Sequence, residues 1–540
     1  MKLDLVIDNA RVRTMDRRRP AATRVGVWGG RVVGLDNEVE GIEATQAVDA
    51  GGRTVLPGFI DAHTHLVWQG LQLGAVDISA AGTVDDALGI IESAARVRSP
   101  GWLDVSGYDQ RRLGRHLGAD DLERVSNGHK VYVSHFSGHA CVVSRSVVKE
   151  ISEVDLQRGG PGVCRGENGE PTGLFLENAQ EVPRRLRLPY GFGEIRAALR
   201  RSSALCAAQG VTFCAEAGTG AGLVLHSPVE PAAYQCVAES GELAVRVQLM
   251  VAGDFLHATG ALAGGGPAFG IDLGLRTGFG SGWLSLGAAK FWLDGGMSAR
   301  TAALSEPYVG TADAGHLTDR LDDYRAAVPA CHEAGWQLAL HAIGDRAIDT
   351  ALQLVEDALA RHPAADARPR IEHGGLTRPG QLGRLARNGA IVVLQPDFLR
   401  QFGDDYAGIV GPGRAGWLYR GRSFIDHGVS LAGSSDRPVT AGHPLSAMSF
   451  MVTRRALSGS EIGGAEAMTV CEALQAYCGG AAFACKVEKD LGSITTGKYA
   501  DLVMLDADPM EVAPSDIADI PVAATVVAGR PTHDPIGLFA

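Results

Sequence analysis

The chain has 540 residues, 45% of them hydrophobic and 21% charged, with a formal net charge of −12 at pH 7. That length exceeds one compact core and predicts a barrel-sized domain with smaller units attached. The acidic balance, with arginines bunched only at Arg17 to Arg19 and Arg184 to Arg187, argues against nucleic-acid binding. No run approaches the roughly 20 apolar residues that span a bilayer, so no membrane role is expected.

From the N-terminus, LDLVIDNARV, RVGVWGGRVVGLD and GGRTVLPG alternate apolar and polar residues between Gly and Asn breaks, the pattern of antiparallel strands with one wet face. The stretches GSITTGKYADLVMLDADP and PVAATVVAGRPTH near the C-terminus read the same way. Residues 1–56 and 487–540 are therefore expected to form one small β-sandwich together. The first residues carry no continuous apolar leader, and the nine cysteines show no CxxC pair, so they are read as reduced core residues of a cytoplasmic protein.

Between these ends, eight apolar runs alternate with helical stretches: FIDAHTHL, VTFCAEAG, VRVQLMVAG, AAKFWLDGG, QLALHAIGD, RIEHGG, AIVVLQP and VSLAGSSD. An α/β fold follows, a (β/α)8 barrel over residues 57–486. Residues 70–195 add their own strand candidates (WLDVSGYD, KVYVSHFSGHACVVS, TGLFLEN) after the first barrel strand. They are read as an inserted domain that covers the barrel mouth and shapes a substrate pocket.

Chemistry concentrates at the ends of those runs. His63 and His65 stand two apart, so in an extended strand both imidazoles face one side and can bind one ion. His341 ends QLALH, His373 ends RIEH, and Asp436 follows VSLAGSS; parallel barrel strands bring all these ends to one rim. A divalent cation would satisfy such a buried cluster, and its nitrogen and hard-oxygen donors suit Zn²⁺ first, with Mn²⁺, Fe²⁺, Co²⁺ or Ni²⁺ as alternatives. Lys290 is costly among apolar neighbours. It either snorkels to solvent, pairs with Asp294, or loses its charge and reacts as a free amine with CO2 to give an anionic carbamate.

The motifs FIDAHTHL, KFWLDGG, LALHAIGDRAID, IEHGG, LAGSSDRP and GSITTGKYADLVMLDADP together resemble those of the amidohydrolase superfamily, nearly end to end. The ligand order and the insertion after the first strand resemble in particular the branch containing N-substituted formamide deformylase. The resemblance implies that His63, His65 and Asp436 hold a first ion, that His341 and His373 hold a second, and that carboxylated Lys290 bridges them. Members with one ion leave part of this set for other roles. Glu216 and Cys214, near the end of the second run, are the candidate substitutes.

The activity so implied is hydrolysis of a C–N bond in an amide, formamide or cyclic amide by cation-activated water, with Asp436 as the catalytic proton carrier. Deamination of an amino-bearing heterocycle by the same site is the alternative. A catalytically dead scaffold would need a broken ligand set, and all six positions are filled. His139, in a GH pair resembling one of this branch, is assigned to substrate contact together with Asp294 and Arg300, while His135 and Asp345 are read as rim or supporting residues. No GxSxG elbow or GxxxxGK[ST] loop is present, so a serine nucleophile and a nucleotide cofactor are not expected. The expected partner is a small-molecule substrate, and a homodimer is compatible with the exposed barrel faces.

Overall fold

The computed structural model describes residues 2–135, 140–220, 227, 229–260 and 268–539. The described residues fall into two units, one drawn from 2–66, 202–220 and 229–539 and one built on Val67–Arg201.

In the first unit, eight strands form one parallel sheet in sequence order: β1 (Phe59–Thr64), β2 (Val211–Thr219), β3 (Arg246–Ala252), β4 (Leu284–Trp292), β5 (Leu338–Ala342), β6 (Arg370–His373), β7 (Ile391–Leu394) and β8 (Ser430–Gly433). All eight fall on the apolar runs singled out in the sequence. Six of them, β1 to β3 and β6 to β8 apart from the exposed Ser430, have no solvent-facing residue. Burial on both faces favours apolar residues and leaves the few polar ones, such as Asp61, Arg246 and Glu372, to find partners inside, and the helices that follow, such as Asp345–Arg361 with Ile348, Ala351, Leu352 and Val355 buried, supply the outer cover. Inside, Ile60, Ala62, Phe213, Ala215, Ala217, Ala339, Val393 and Ala432 form one apolar cluster, with alanine dominating where strands crowd the axis.

The ring closes between β8 and β1 through hydrogen bonds just past the strands. The Asp436 amide donates to His63 O at 2.8 Å and the His65 amide to Arg437 O at 2.9 Å. Buried Asp61 fastens this seam, accepting from the Ser435 amide at 2.9 Å and from its hydroxyl at 2.5 Å, with the Arg437 guanidinium 3.2 Å away.

At the opposite end of the strands, the C-terminal segment plugs the barrel. Gln248 and Gln337 side chains donate to Cys485 O and Ala484 O, and Arg246 at the start of β3 forms a two-pronged buried pair with Asp501 at 2.7 and 3.0 Å. Beyond the plug, Leu502–Leu505, Val522–Val527 and Arg530–His533 share a six-stranded sheet with Thr54–Pro57, Arg11–Arg13 and Ala21–Ala22. A four-stranded sheet of Leu3–Asp8, Val25–Trp28, Arg31–Leu35 and Ala44–Asp49 faces the same core, in which Leu5, Val27 and Val55 meet Leu502, Met504 and Val526.

The second unit carries its own six-stranded sheet, in the order Val163–Arg165, Pro171–Leu176, Ala140–Val143, Lys130–His135, Trp102–Tyr108, Val76–Asp77, with apolar cores on its two faces. No described helix is long and apolar enough to cross a membrane.

The Arg246–Asp501 pair gives the fold its sharpest test. Asp501→Ala leaves the Arg246 charge buried without its counterion and is expected to lower stability by about 3–5 kcal/mol, read as a shift in the urea midpoint. A midpoint equal to that of the wild type would show that the pair does not hold the plug.

Candidate metal centre

The strand ends of β1, β6 and β8 deliver His63, His373 and Asp436 to one point, where a ligand atom from each lies within 4.8 Å of the others. His63 Nε2 is 3.4 Å from Asp436 Oδ1 and the His63 and His373 ring centres are 5.0 Å apart. Two of the three hold unusual backbone. His373 has φ +75° and Asp436 φ +55°, left-handed conformations that non-glycine residues seldom adopt and that concentrate at functional sites.

The remaining predicted ligands surround this trio. His65 Nε2 is 2.9 Å from Asp436 Oδ1, and the His341 ring lies 4.4 Å from that of His373. The His341 Nε2, however, faces Gly295 O at 3.3 Å and Asp294 Oδ1 at 3.4 Å. Lys290, near the end of β4, is fully buried, and its Nζ has no hydrogen-bond partner among the described residues. It lies 5.5 Å from the Trp292 ring centre.

Charge sorts these groups. Burial, reinforced by the Lys290 charge, drives His63 far below the ordinary imidazole range and His341 down to about 3. Burial and the neighbouring His341 and His63 do the same to His373. These three rings are neutral and keep a lone pair for a cation. Burial also disfavours charge on His65, but the nearby carboxylates of Asp436 and Glu216 outweigh it and lift that ring to about 9. Burial brings the Lys290 ammonium down to about 8 against the pull of Glu372 and Asp436.

Sequence reasoning missed the groups that aim the imidazoles. Glu372 Oε2 lies 2.6 Å from His63 Nδ1, and Gln395 Oε1 lies 2.6 Å from His373 Nδ1. Glu372 stands one residue before His373 in the run RIEH; a carboxylate beside an arginine and a histidine in one short strand was the available signal. Asp61, which fastens the barrel seam, was equally visible in FIDAHTH.

Glu216 accepts from the Leu66 amide at 2.7 Å and from the Tyr234 hydroxyl, and stands 3.8 Å from His65 Nδ1. Cys214 packs against Cys206, with 3.8 Å between the sulfurs. Asp294 spends its carboxylate on the amides of Ala303, Ile343 and Gly344, at 2.8 to 3.1 Å, and burial pushes it up to about 7. It thereby pins the β4 exit to the β5 exit beside His341. Gly344 makes that approach possible, since a Cβ there would sit 2.0 Å from Ala303 O. Asp345 accepts from the Ser305 amide at 2.8 Å and pairs with Arg378 at 3.0 Å. Arg300 sits in an exposed turn. His135 meets Gln110 at 2.6 Å within the second unit, and His139 lies outside the described residues.

The donor set fits a divalent cation. Two imidazoles whose Nδ1 atoms are held by Glu372 and Gln395 present Nε2 beside a carboxylate, and the buried Lys290 amine has no hydrogen-bond partner among the described residues. A parallel barrel with such a cluster at its strand ends is an arrangement suited to cation-assisted hydrolysis. Residues 46–533 match the Amidohydrolase family, and the chain belongs to it. It is an enzyme, a hydrolase acting on carbon–nitrogen bonds.

Among its relatives, N-substituted formamide deformylase of Arthrobacter pascens is 29% identical, over 97% of each chain. Protein LONG AFTER FAR-RED 3 of Arabidopsis thaliana is 28% identical, over 98% of this chain and 91% of its own. In fold, the chain is similar to an uncharacterised metal-dependent hydrolase from Pyrococcus horikoshii, with a TM-score of 0.77, 22% identity, and 94% and 99% of the two chains covered.

His373→Ala and Asp436→Ala are each expected to purify with most of the bound divalent metal lost, measured by emission spectrometry on the folded proteins. Metal content equal to that of the wild type would place the ion elsewhere.

Proposed function

We propose that this chain hydrolyses the C–N bond of a small amide, formamide or cyclic amide, with Zn²⁺ as the cation. The observation that carries the reading is the trio His63, His373 and Asp436 within 4.8 Å at the barrel rim. Full-length similarity to a formamide deformylase supports the substrate class. Two imidazoles and a carboxylate are a donor set suited to Zn²⁺.

A bound divalent cation supplies a Lewis acid that polarises the carbonyl and makes water acidic enough to attack near neutral pH. Asp436 is the group within reach to take the water's proton and return it to the leaving nitrogen, giving an amine and a carboxylate. His65, 2.9 Å from Asp436 Oδ1, holds that carboxylate in place. His63 and His373, neutral and fixed at Nδ1, stay as donors through the cycle.

Lys290 is assigned as the carbamate. Its buried Nζ has no hydrogen-bond partner among the described residues, and burial, which brings it down to about 8, leaves part of it as free amine near neutral pH. The amine adds CO2, losing a proton, and becomes an anion among imidazoles.

The test is a panel of formamides, N-acyl amines and cyclic amides offered to protein reconstituted with Zn²⁺. Turnover of at least one class is expected, and Asp436→Asn should cut kcat by about 10²–10⁴-fold while remaining folded, since Asn also tolerates the left-handed backbone at that position. Ammonia release from amino-heterocycles, with no amide cleaved, would replace this reading by deamination. An Asp436→Asn enzyme of full activity would remove the proton carrier. Loss of activity in Lys290→Ala that short carboxylic acids restore would support the carbamate, and an unimpaired Lys290→Ala would exclude it.

A further inference from the structure

Two histidines of the trio are held at Nδ1 by partners of different charge. Behind His63 is Glu372, fully buried, with Oε2 2.6 Å from Nδ1. Arg370 grips that carboxylate with Nε at 2.7 Å and Nη2 at 3.1 Å, and the same Nη2 reaches Ala62 O at 2.6 Å, next to His63. The guanidinium thus ties β6 to β1 and fixes the carboxylate against the ring. A carboxylate accepts, so His63 carries its hydrogen on Nδ1 and bares Nε2.

Behind His373 is Gln395, also fully buried, with Oε1 2.6 Å from Nδ1. The orientation of this amide follows from its other contacts. Its Nε2 donates to Val393 O at 3.0 Å and to Ser434 Oγ at 2.9 Å, and Ser434 Oγ donates in turn to Leu394 O at 2.8 Å. A backbone carbonyl accepts only, so the nitrogen must face it and the oxygen must face His373. His373 therefore has the same tautomer as His63, set by a neutral acceptor.

We propose that Glu372, held by Arg370, is a positioning residue that makes His63 the stronger donor of the pair, and that Gln395 orients His373 without charging it. An anionic partner at Nδ1 raises the basicity of an imidazole at Nε2, whereas an amide supplies only a dipole. The cation affinity of the site is then set largely by one buried ion pair that touches neither cation nor substrate. The inference rests on the reading that these two histidines hold the cation, and it names the group that tunes their affinity.

The test is Zn²⁺ affinity of the full chain by competition with a chromophoric chelator, an observable separate from turnover. Glu372→Gln keeps an acceptor and removes the charge; its dissociation constant should rise about 10- to 100-fold, with metal-free thermal unfolding as the control for folding. Gln395→Glu should bind Zn²⁺ more tightly than the wild type. An unchanged affinity in a folded Glu372→Gln protein overturns the inference.

If either variant fails to fold, ring-nitrogen NMR of the Zn²⁺-loaded wild type decides. Nδ1–H tautomers at both rings, with the His63 proton further downfield, support the inference; an Nε2–H tautomer at His63, or equal shifts, overturns it. A wild type that binds no Zn²⁺ removes the parent reading itself, whereas a wild type that binds Zn²⁺ and is matched by Glu372→Gln removes only this one.

Discussion

The cluster of His63, His373 and Asp436 exists because eight parallel strands end on one rim and the last is fastened to the first. His63 and Asp436 stand 373 positions apart in the chain, yet the Asp436 amide hydrogen-bonds the His63 carbonyl across the β8–β1 seam. Asp61 holds that seam from within, with Ser435 and Arg437 as its partners. Opening the seam would separate two of the three clustered ligands without touching either side chain. The left-handed backbone at His373 and Asp436 belongs to the same constraint, since those two residues leave their strands abruptly enough to turn their side chains onto the rim.

Inside this ring, charge is arranged in a medium that screens it poorly. Arg370 and Glu372 pair with no exposure to solvent, and the Glu372 charge also pulls on the Lys290 ammonium. The imidazoles stay neutral because burial and nearby positive charge both oppose their protonation. His65 is the exception because it lies between two carboxylates, Asp436 and Glu216. A cluster tuned toward neutral nitrogen donors beside a carboxylate is the electrostatic condition for holding a cation and bringing water to a carbonyl.

Much of this was legible in the sequence. Eight buried strands covered on both faces must be apolar runs, and every run singled out became a barrel strand. The clustered side chains His63, His373 and Asp436 were legible because each stands at the end of such a run. Their partners were not, since Gln395 and Ser434 look like ordinary polar residues after a strand until the fold sets them side by side. Glu372 was hidden by adjacency to His373, which drew the whole of the reading at that strand. Asp294 illustrates the opposite difficulty. An aspartate next to a ligand strand suggests a substrate contact; that its carboxylate also accepts from three backbone amides is a detail that depends on how two loops meet.

The central claim is that His63, His373 and Asp436 share one cation. Anomalous diffraction from crystals grown with Zn²⁺, collected on both sides of the zinc absorption edge, tests it most directly. The account requires a zinc peak within coordination distance of His63 Nε2, His373 Nε2 and an Asp436 carboxylate oxygen. A rim with no anomalous peak in zinc-loaded crystals, or zinc bound only at sites remote from these three side chains, would contradict it.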